Sequence, residues 1–350
     1  MKYFGLVKKE TVFYNQADDW RWTPIKQKGE NTMKKLLALV LAVAALLTMT
    51  AALAEDHSDQ LYIQVSALSN LDYFYDHQLG CRMAGEELGV RTEYVGPADY
   101  DMTAMIAAFE QAIAKKPNGI VCVGFEDTLG PIIDKAVEAG IPVVTVDGDV
   151  ANCKRCAFVG TGNYNAGFQG GTYLAEAIGG AGKVALMTKP GQGNLEERID
   201  GYEAALANYP DIEIVQIADT QSDSVVAAQA ASALLQKFPD LAGIACVEAA
   251  GGAGAATAVK EAGKAGEVKI ISMDRGEDVL ADIESGVITA SVAQQTALMP
   301  YYAIQILMNI NNSNVAITSD NAAAGVSGVP ASIDTGVIII DANNAQYFKR

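Results

Sequence analysis

The chain reads as an α/β protein made of two doubly wound parallel-sheet units. Three observations lead there. Short apolar runs of strand length alternate with amphipathic helical stretches along most of the chain. Its 350 residues, half of them hydrophobic, exceed what one core usually holds, so two units are expected. The run at 141–149, Ile-Pro-Val-Val-Thr-Val-Asp-Gly-Asp, is a buried-strand pattern that stops at two carboxylates flanking a glycine. Ligands of open α/β sheets sit beyond the carboxyl ends of such strands, which makes Asp147 and Asp149 candidate binding residues.

The N-terminus reads as an export signal. Met33-Lys34-Lys35 is a charged start, an apolar run follows, and Ala52-Leu53-Ala54 ends the stretch as an A-x-A cleavage site. Segment 33–54 is therefore expected to be a signal peptide cut after Ala54, leaving a periplasmic or extracellular protein. A retained membrane anchor is the other reading of this run. Segment 1–32 precedes a complete signal, and Lys28-Gly29-Glu30 can be encoded by a purine-rich ribosome-binding sequence just upstream of Met33. Translation is expected to start at Met33.

From there the alternation begins with a strand at 61–66, a helix at 73–88 and a strand at 91–95. Met102, Met105, Ile106, Phe109 and Ile113 keep helical spacing, and 119–123 turns extended again. Helices are expected at 129–139, 165–178, 196–208, 224–238, 252–262, 277–285 and 297–310. Strands are expected at 142–146, 183–187, 212–217, 242–247, 268–272 and 289–293. Segment 311–334, rich in Asn, Ser, Ala and Gly, reads as loop before a last strand at 337–340. Parallel strands need crossover connections, so helices should cover both faces of each sheet.

Charge and motifs remove several function classes. With 42 acidic residues against 25 basic ones there is no basic surface for phosphates, so nucleic acid is not expected as a partner. Two histidines, His57 and His77, cannot supply a histidine-rich metal site. No phosphate-binding P-loop, nucleophile elbow or zinc-protease motif occurs, and no cofactor or catalytic set is evident, so the chain is not read as an enzyme. Gly252-Ala253-Gly254 is half a dinucleotide fingerprint without its third glycine and without an acidic ribose reader, and reads as a tight strand-helix turn. Cys153 and Cys156 form a lone C-x-x-C, open to a local disulfide or to two free thiols.

What remains is a set of residues at strand ends. Tyr73 and Phe74 follow the first strand, Asp147 and Asp149 the strand at 142–146, and Glu248 the strand at 242–247. Asp274 and Arg275 follow the strand at 268–272, Gln294 the strand at 289–293, and Arg198 opens a helix. Aromatic planes with hydrogen-bonding side chains suit the C–H faces and hydroxyls of a carbohydrate.

These stretches carry a resemblance. Ser66-Ala67-Leu68-Ser69-Asn70 with Tyr73-Phe74, the run from Ala139 to Asp147, Gly160-Thr161-Gly162-Asn163-Tyr164-Asn165-Ala166-Gly167, Glu197-Arg198-Ile199-Asp200-Gly201-Tyr202, Met273-Asp274 and Ala293-Gln294 resemble, in order and spacing, the ribose-binding type of periplasmic sugar-binding protein of ABC importers. The resemblance implies two lobes of the type I periplasmic-binding-protein kind, joined by three crossing segments and closing on a monosaccharide. It implies that Tyr73 and Phe74 stack on the sugar and that Asp147, Arg198, Asp274 and Gln294 bind its hydroxyls. It implies crossings at 160–162, at 293–294 and within 320–324, hence lobes of 55–161 plus 294–322 and of 162–293 plus 323–350. The expected chain is a monomer without cofactor that takes a small neutral sugar or polyol and delivers it to ABC permease membrane subunits. Presentation of the ligand to a receptor kinase or chemoreceptor is the other reading. Departures from the ribose pattern point to another sugar: Gly148 replaces an arginine, Glu248 an asparagine, and Ser222 and Met273 stand where aromatics are expected.

Overall fold

The computed structural model describes residues 56–70, 72–313 and 315–349, together with Leu36 and Leu39. The expected start at Met33 and the export signal at 33–54 lie outside the described residues, those two leucines apart. Residues 56–350 form one compact unit holding two six-stranded sheets.

The first sheet has the order β11-β5-β4-β3-β1-β2, from β1 (Leu61–Val65), β2 (Arg91–Val95), β3 (Gly119–Val123), β4 (Val143–Val146), β5 (Ala157–Gly160) and β11 (Ser332–Asp334). All its pairings are parallel. The second sheet repeats the plan as β12-β10-β9-β8-β6-β7. It is built from β6 (Ala181–Thr188), β7 (Asp211–Asp219), β8 (Leu241–Cys246), β9 (Lys269–Met273), β10 (Ala290–Gln294) and β12 (Val337–Asp341). Here the edge pair β10 and β12 is antiparallel. The central strands β1, β3, β4 and β10 are buried along their whole length, as strands covered on both faces must be.

Crossover helices cover the first sheet: α1 (Asp72–Leu88), α2 (Met102–Ala114) and α3 (Gly130–Glu138). On the second sheet lie α4 (Asn163–Ala177), α5 (Gly193–Leu206), α6 (Ser224–Lys237), α7 (Ala249–Glu261) and α8 (Glu277–Glu284). The helix after β10, α9 (Leu298–Asn312), returns to the first lobe. Its Met299, Ala303, Ile304 and Leu307 recur at helical spacing and are fully buried in the first-lobe core. Gly252 and Gly254, the partial fingerprint, lie inside α7. A Cβ at Gly252 would stand 1.8 Å from Ser272 Oγ, and one at Gly254 would stand 2.5 Å from Ala227 Cβ, so both glycines serve close packing.

The chain passes between lobes three times: from β5 to α4, from β10 to α9 and from β11 to β12. The third passage corrects the expectation of a crossing at 320–324. Ser332, Ile333 and Asp334 pair with Phe158, Val159 and Gly160, so the chain stays in the first lobe until Asp334 and only 335–337 crosses. Strand β5 was absent from the sequence reading, and β11 and the short helix α10 (Asn321–Ala324) replace part of the expected loop. Runs of three or four residues carry too little periodicity to stand out.

Helices α4 and α5 pack at backbone contact distance. A Cβ on Gly167 would lie 2.0 Å from the carbonyl oxygen of Arg198, and one on Gly201 would lie 2.1 Å from that of Tyr164. Gly167→Ala therefore should lower stability by about 1–3 kcal/mol by forcing the helices apart. Urea denaturation measures this, and a wild-type midpoint would contradict the packing.

Candidate functional site

Two aspartates at equivalent strand ends face each other across the lobes. Asp147 follows β4 and Asp274 follows β9, each the fourth strand of its lobe in chain order and the third in its sheet order. Both adopt left-handed backbone, with φ of 69° and 64°. Each anchors its N–H on the neighbouring strand, Asp147 to Val159 O at 3.1 Å and Asp274 to Val292 O at 3.0 Å. A left-handed turn directly after a strand suits Asp and excludes β-branched residues. Gly148, where the resemblance expected arginine, is held against the end of β3: a Cβ there would sit 2.5 Å from Gly124 O.

Around Asp147 the first turns of α1 supply the partners. Tyr73 and His77 are four residues apart and share one face of the helix. Tyr73 donates its hydroxyl to Asp147 Oδ1 at 2.8 Å, and His77 Nε2 lies 3.8 Å from Oδ2. Phe74 is only 2% exposed; its ring packs edge-on to Tyr73 and to Phe125. Phe74 thus backs the site, and the half-exposed Phe125 extends the aromatic wall.

The second lobe contributes a chain of hydrogen bonds centred on Arg198, which is 5% exposed. Its Nε donates to Asn163 Oδ1 at 2.9 Å, Nη1 to Val247 O at 2.9 Å and Nη2 to Gln294 Oε1 at 3.1 Å. Gln294 Oε1 also accepts from Thr161 Oγ1, and its Nε2 donates to Asp274 Oδ1 at 3.0 Å. A guanidinium carries five N–H groups, so two remain for a ligand.

Electrostatically the site is acidic, and its carboxyl groups are desolvated by burial. Burial pushes the Asp147 carboxyl up to about 7 against a lowering hydrogen bond from Tyr73, with Asp274 raising it further and Arg198 lowering it. Burial also raises Asp274 above the usual carboxylate range, opposed chiefly by Arg198 and Gln294. Tyr73, Asp147, Arg198, Asp274 and Gln294 therefore form one cluster.

The remaining candidates are engaged elsewhere. Asp149 accepts from Thr145 Oγ1 at 2.8 Å and pairs with Arg155. Glu248 caps α7 by accepting from Ala250 N, and accepts from Thr220 Oγ1, both at 2.8 Å. Arg275 forms an ion pair with Asp76 of α1, whose Oδ2 also accepts from Thr296 Oγ1 at 3.1 Å, so this contact links the two lobes beside a crossing segment. Asp76, His77, Asn163 and Thr161 were missed as site residues. The i, i+4 relation of His77 to Tyr73 was the available signal. Cys153 and Cys156 are unbridged, and among the described residues no group of three or more His, Cys, Asp or Glu side chains is arranged for a metal ion.

The periplasmic binding protein domain family matches residues 63–313, well over half of the chain. The chain belongs to that family. It is a binding-protein family, not a catalytic one, and the fold is its type I form with two largely parallel sheets. Within the family this member groups with the ribose- and allose-type sugar-binding proteins of ABC transporters. A sugar-binding protein of a sugar ABC transporter from Bacillus halodurans is 36% identical, with a TM-score of 0.79 over 83% of this chain and all of that one. An arabinose-binding protein from Geobacillus stearothermophilus is 35% identical, with a TM-score of 0.78 over 83% and 99% of the two chains. The D-allose-binding periplasmic protein of Escherichia coli is 27% identical over 271 residues, 74% of this chain and 87% of the relative.

The raised Asp147 group gives this family member a pH signature in its stability. Its folded value, about 7, lies above an unfolded value near 4, so the folded state holds the proton more tightly between the two. The stabilisation is full below pH ~4 and fades as pH rises through ~7. Asp147→Asn should flatten that slope in melting temperature between pH 4 and 7, and an unchanged slope would place the titration elsewhere.

Proposed function

We propose that this protein is an exported solute-binding protein that closes its lobes on a small neutral sugar or polyol and hands it to the permease of an ABC importer. The observation that carries this reading is the clustering of two carboxylates, the buried Asp147 and the partly buried Asp274, around one buried guanidinium, Arg198. Carboxylates accept hydrogen bonds from hydroxyls, the guanidinium donates to their oxygens, and Tyr73 and Phe125 offer aromatic faces to C–H groups. A sugar acid or sugar phosphate would bring further negative charge into a poorly screened site that already carries an excess of it. Asp149 and Arg275 do not alter this balance, because each is charge-paired within the protein, while Glu248, hydrogen-bonded to the Thr220 hydroxyl and the Ala250 N–H, only adds to the negative side.

The ligands in the relatives' names support the same class. They include D-allose, ribose, xylitol and arabinose, all neutral polyhydroxyl compounds. The same kinship supports export and delivery to a permease, since binding proteins of this kind serve membrane transporters outside the cytoplasm.

A thermal-shift screen of residues 55–350 against D-allose, ribose, arabinose, xylitol and their phosphates tests the class, because a ligand that binds only the folded form raises the melting temperature. A neutral compound should stabilise the protein and a phosphorylated one should not; the opposite pattern would refute the reading. By calorimetry with the active compound, Asp147→Ala and Arg198→Ala should each weaken binding by about 2–4 kcal/mol, because partners stay buried and unpaired. Tyr73→Phe, which removes one hydroxyl, should lose about 1 kcal/mol. Undiminished affinity in the first two would move the site away from these residues.

A further inference from the structure

Inside the first lobe, behind the Asp147 carboxylate, lies a polar chain that none of the expected contacts uses. Gln64 and His77 are both 0% exposed, Gln64 in the middle of β1 and His77 on the inward face of α1. Gln64 Nε2 lies 3.0 Å from His77 Nδ1. With the amide nitrogen facing it, Nδ1 is the acceptor, which assigns the ring proton to Nε2. That proton faces Asp147 Oδ2 across 3.8 Å, and among the described residues neither atom has another hydrogen-bond partner. A buried donor and a buried acceptor, each unpartnered and facing the other, are a hydrogen bond short by less than about 1 Å of movement.

We propose that His77 is a positioning residue for ligand capture: its Nε2–H, fixed by Gln64, engages Asp147 Oδ2 and thereby sets the carboxylate plane that ligand hydroxyls meet. This rests on Asp147 contacting the ligand, as in the proposed function. With Tyr73 on Oδ1 and His77 on Oδ2, both carboxylate oxygens would have a donor from α1, which limits rotation of the group. Packing would equally be served by a leucine at this position, but leucine would leave Gln64 and Oδ2 without partners.

The imidazole acts as a neutral donor. Burial pushes His77 down to about 3 despite the neighbouring Asp76 carboxylate, so it brings no charge to Asp147 at working pH. The ionisable groups facing the pair are Tyr73 and Asp76 on α1, Tyr94 on β2, Arg198 on α5 and Asp274 after β9. Of these only Arg198 is cationic. An added neutral donor therefore favours the charged form of Asp147 without offsetting the preference for an uncharged ligand.

The protein has only two histidines, and His57 lies apart from the site, hydrogen-bonded near Gln60, so nitrogen NMR of histidine-labelled protein reads His77 directly. In ligand-free protein His77 should appear as the neutral Nε2–H tautomer throughout pH 5–8 (about, from its depressed value). Its Nε2 signal should inflect near pH 7, where Asp147 titrates, and lose the inflection in Asp147→Asn. The Nδ1–H tautomer, or no inflection, would overturn the proposal. With D-allose, ribose and arabinose as probes, His77→Leu should weaken the strongest binder about tenfold, and the fall in affinity on acidification should begin about one pH unit higher. His77→Gln, which keeps a neutral donor, should recover most of that loss. Equal defects in both variants would reduce His77 to packing. If no probe binds the wild type, the sugar reading fails, while the spectra still decide the role of His77.

Discussion

The structure of the cleft depends on where Arg198 is held. Its guanidinium is buried and takes acceptors from three elements: Asn163 at the start of α4, the end of β8 at Val247, and Gln294 at the end of β10. Asn163 and Gln294 lie at two of the three crossings between lobes, and Gln294 also takes the Thr161 hydroxyl from the first of them. One amide oxygen thus joins both crossing segments to the charge that a ligand would meet. A buried guanidinium without these acceptors would be strongly unfavourable, which ties its position to the course of the chain at the hinge.

The same logic appears twice because the two sheets share one strand order. In each lobe the fourth strand ends in an aspartate with left-handed backbone, anchored on its neighbour, so that two carboxylates come to the carboxyl edges of two sheets. The lobes differ in what supports the carboxylate. The first uses an aromatic helix face with Tyr73 and His77; the second uses an amide and a guanidinium. Acceptors therefore come from both lobes, while the cation comes from one.

Much of the fold was legible because long strands and helices announce themselves by period. The first two crossings were placed from the resemblance at Gly160-Thr161-Gly162 and Ala293-Gln294, close to where the chain leaves β5 and β10. The third was not, since the Asn- and Gly-rich stretch after α9 hides a three-residue strand whose membership is set by pairing with β5. Strand-end position marked Asp147, Asp274 and Gln294. It could not separate them from Asp149, Glu248 and Arg275, because their partners Arg155, Thr220 and Asp76 lie 6, 28 and 199 residues away in sequence. His77 was visible as a residue but read only as too few histidines for a metal, and its meaning required knowing that β1 places Gln64 behind it.

Two opposing terms act between the lobes. The Asp76–Arg275 ion pair and its Thr296 hydrogen bond draw the lobes together next to a crossing segment. Bringing Asp147 and Asp274 close together with a single guanidinium acts against this, because each carboxylate is desolvated. Hydroxyls from a ligand would supply donors without adding charge. The electrostatic term that opposes an empty closed cleft is then the one a polyhydroxyl ligand relieves, whereas the ion pair is indifferent to what the cleft holds. A ligand shifts a conformational equilibrium only through such differential contacts, and under the proposed function they would reside in the two carboxylates.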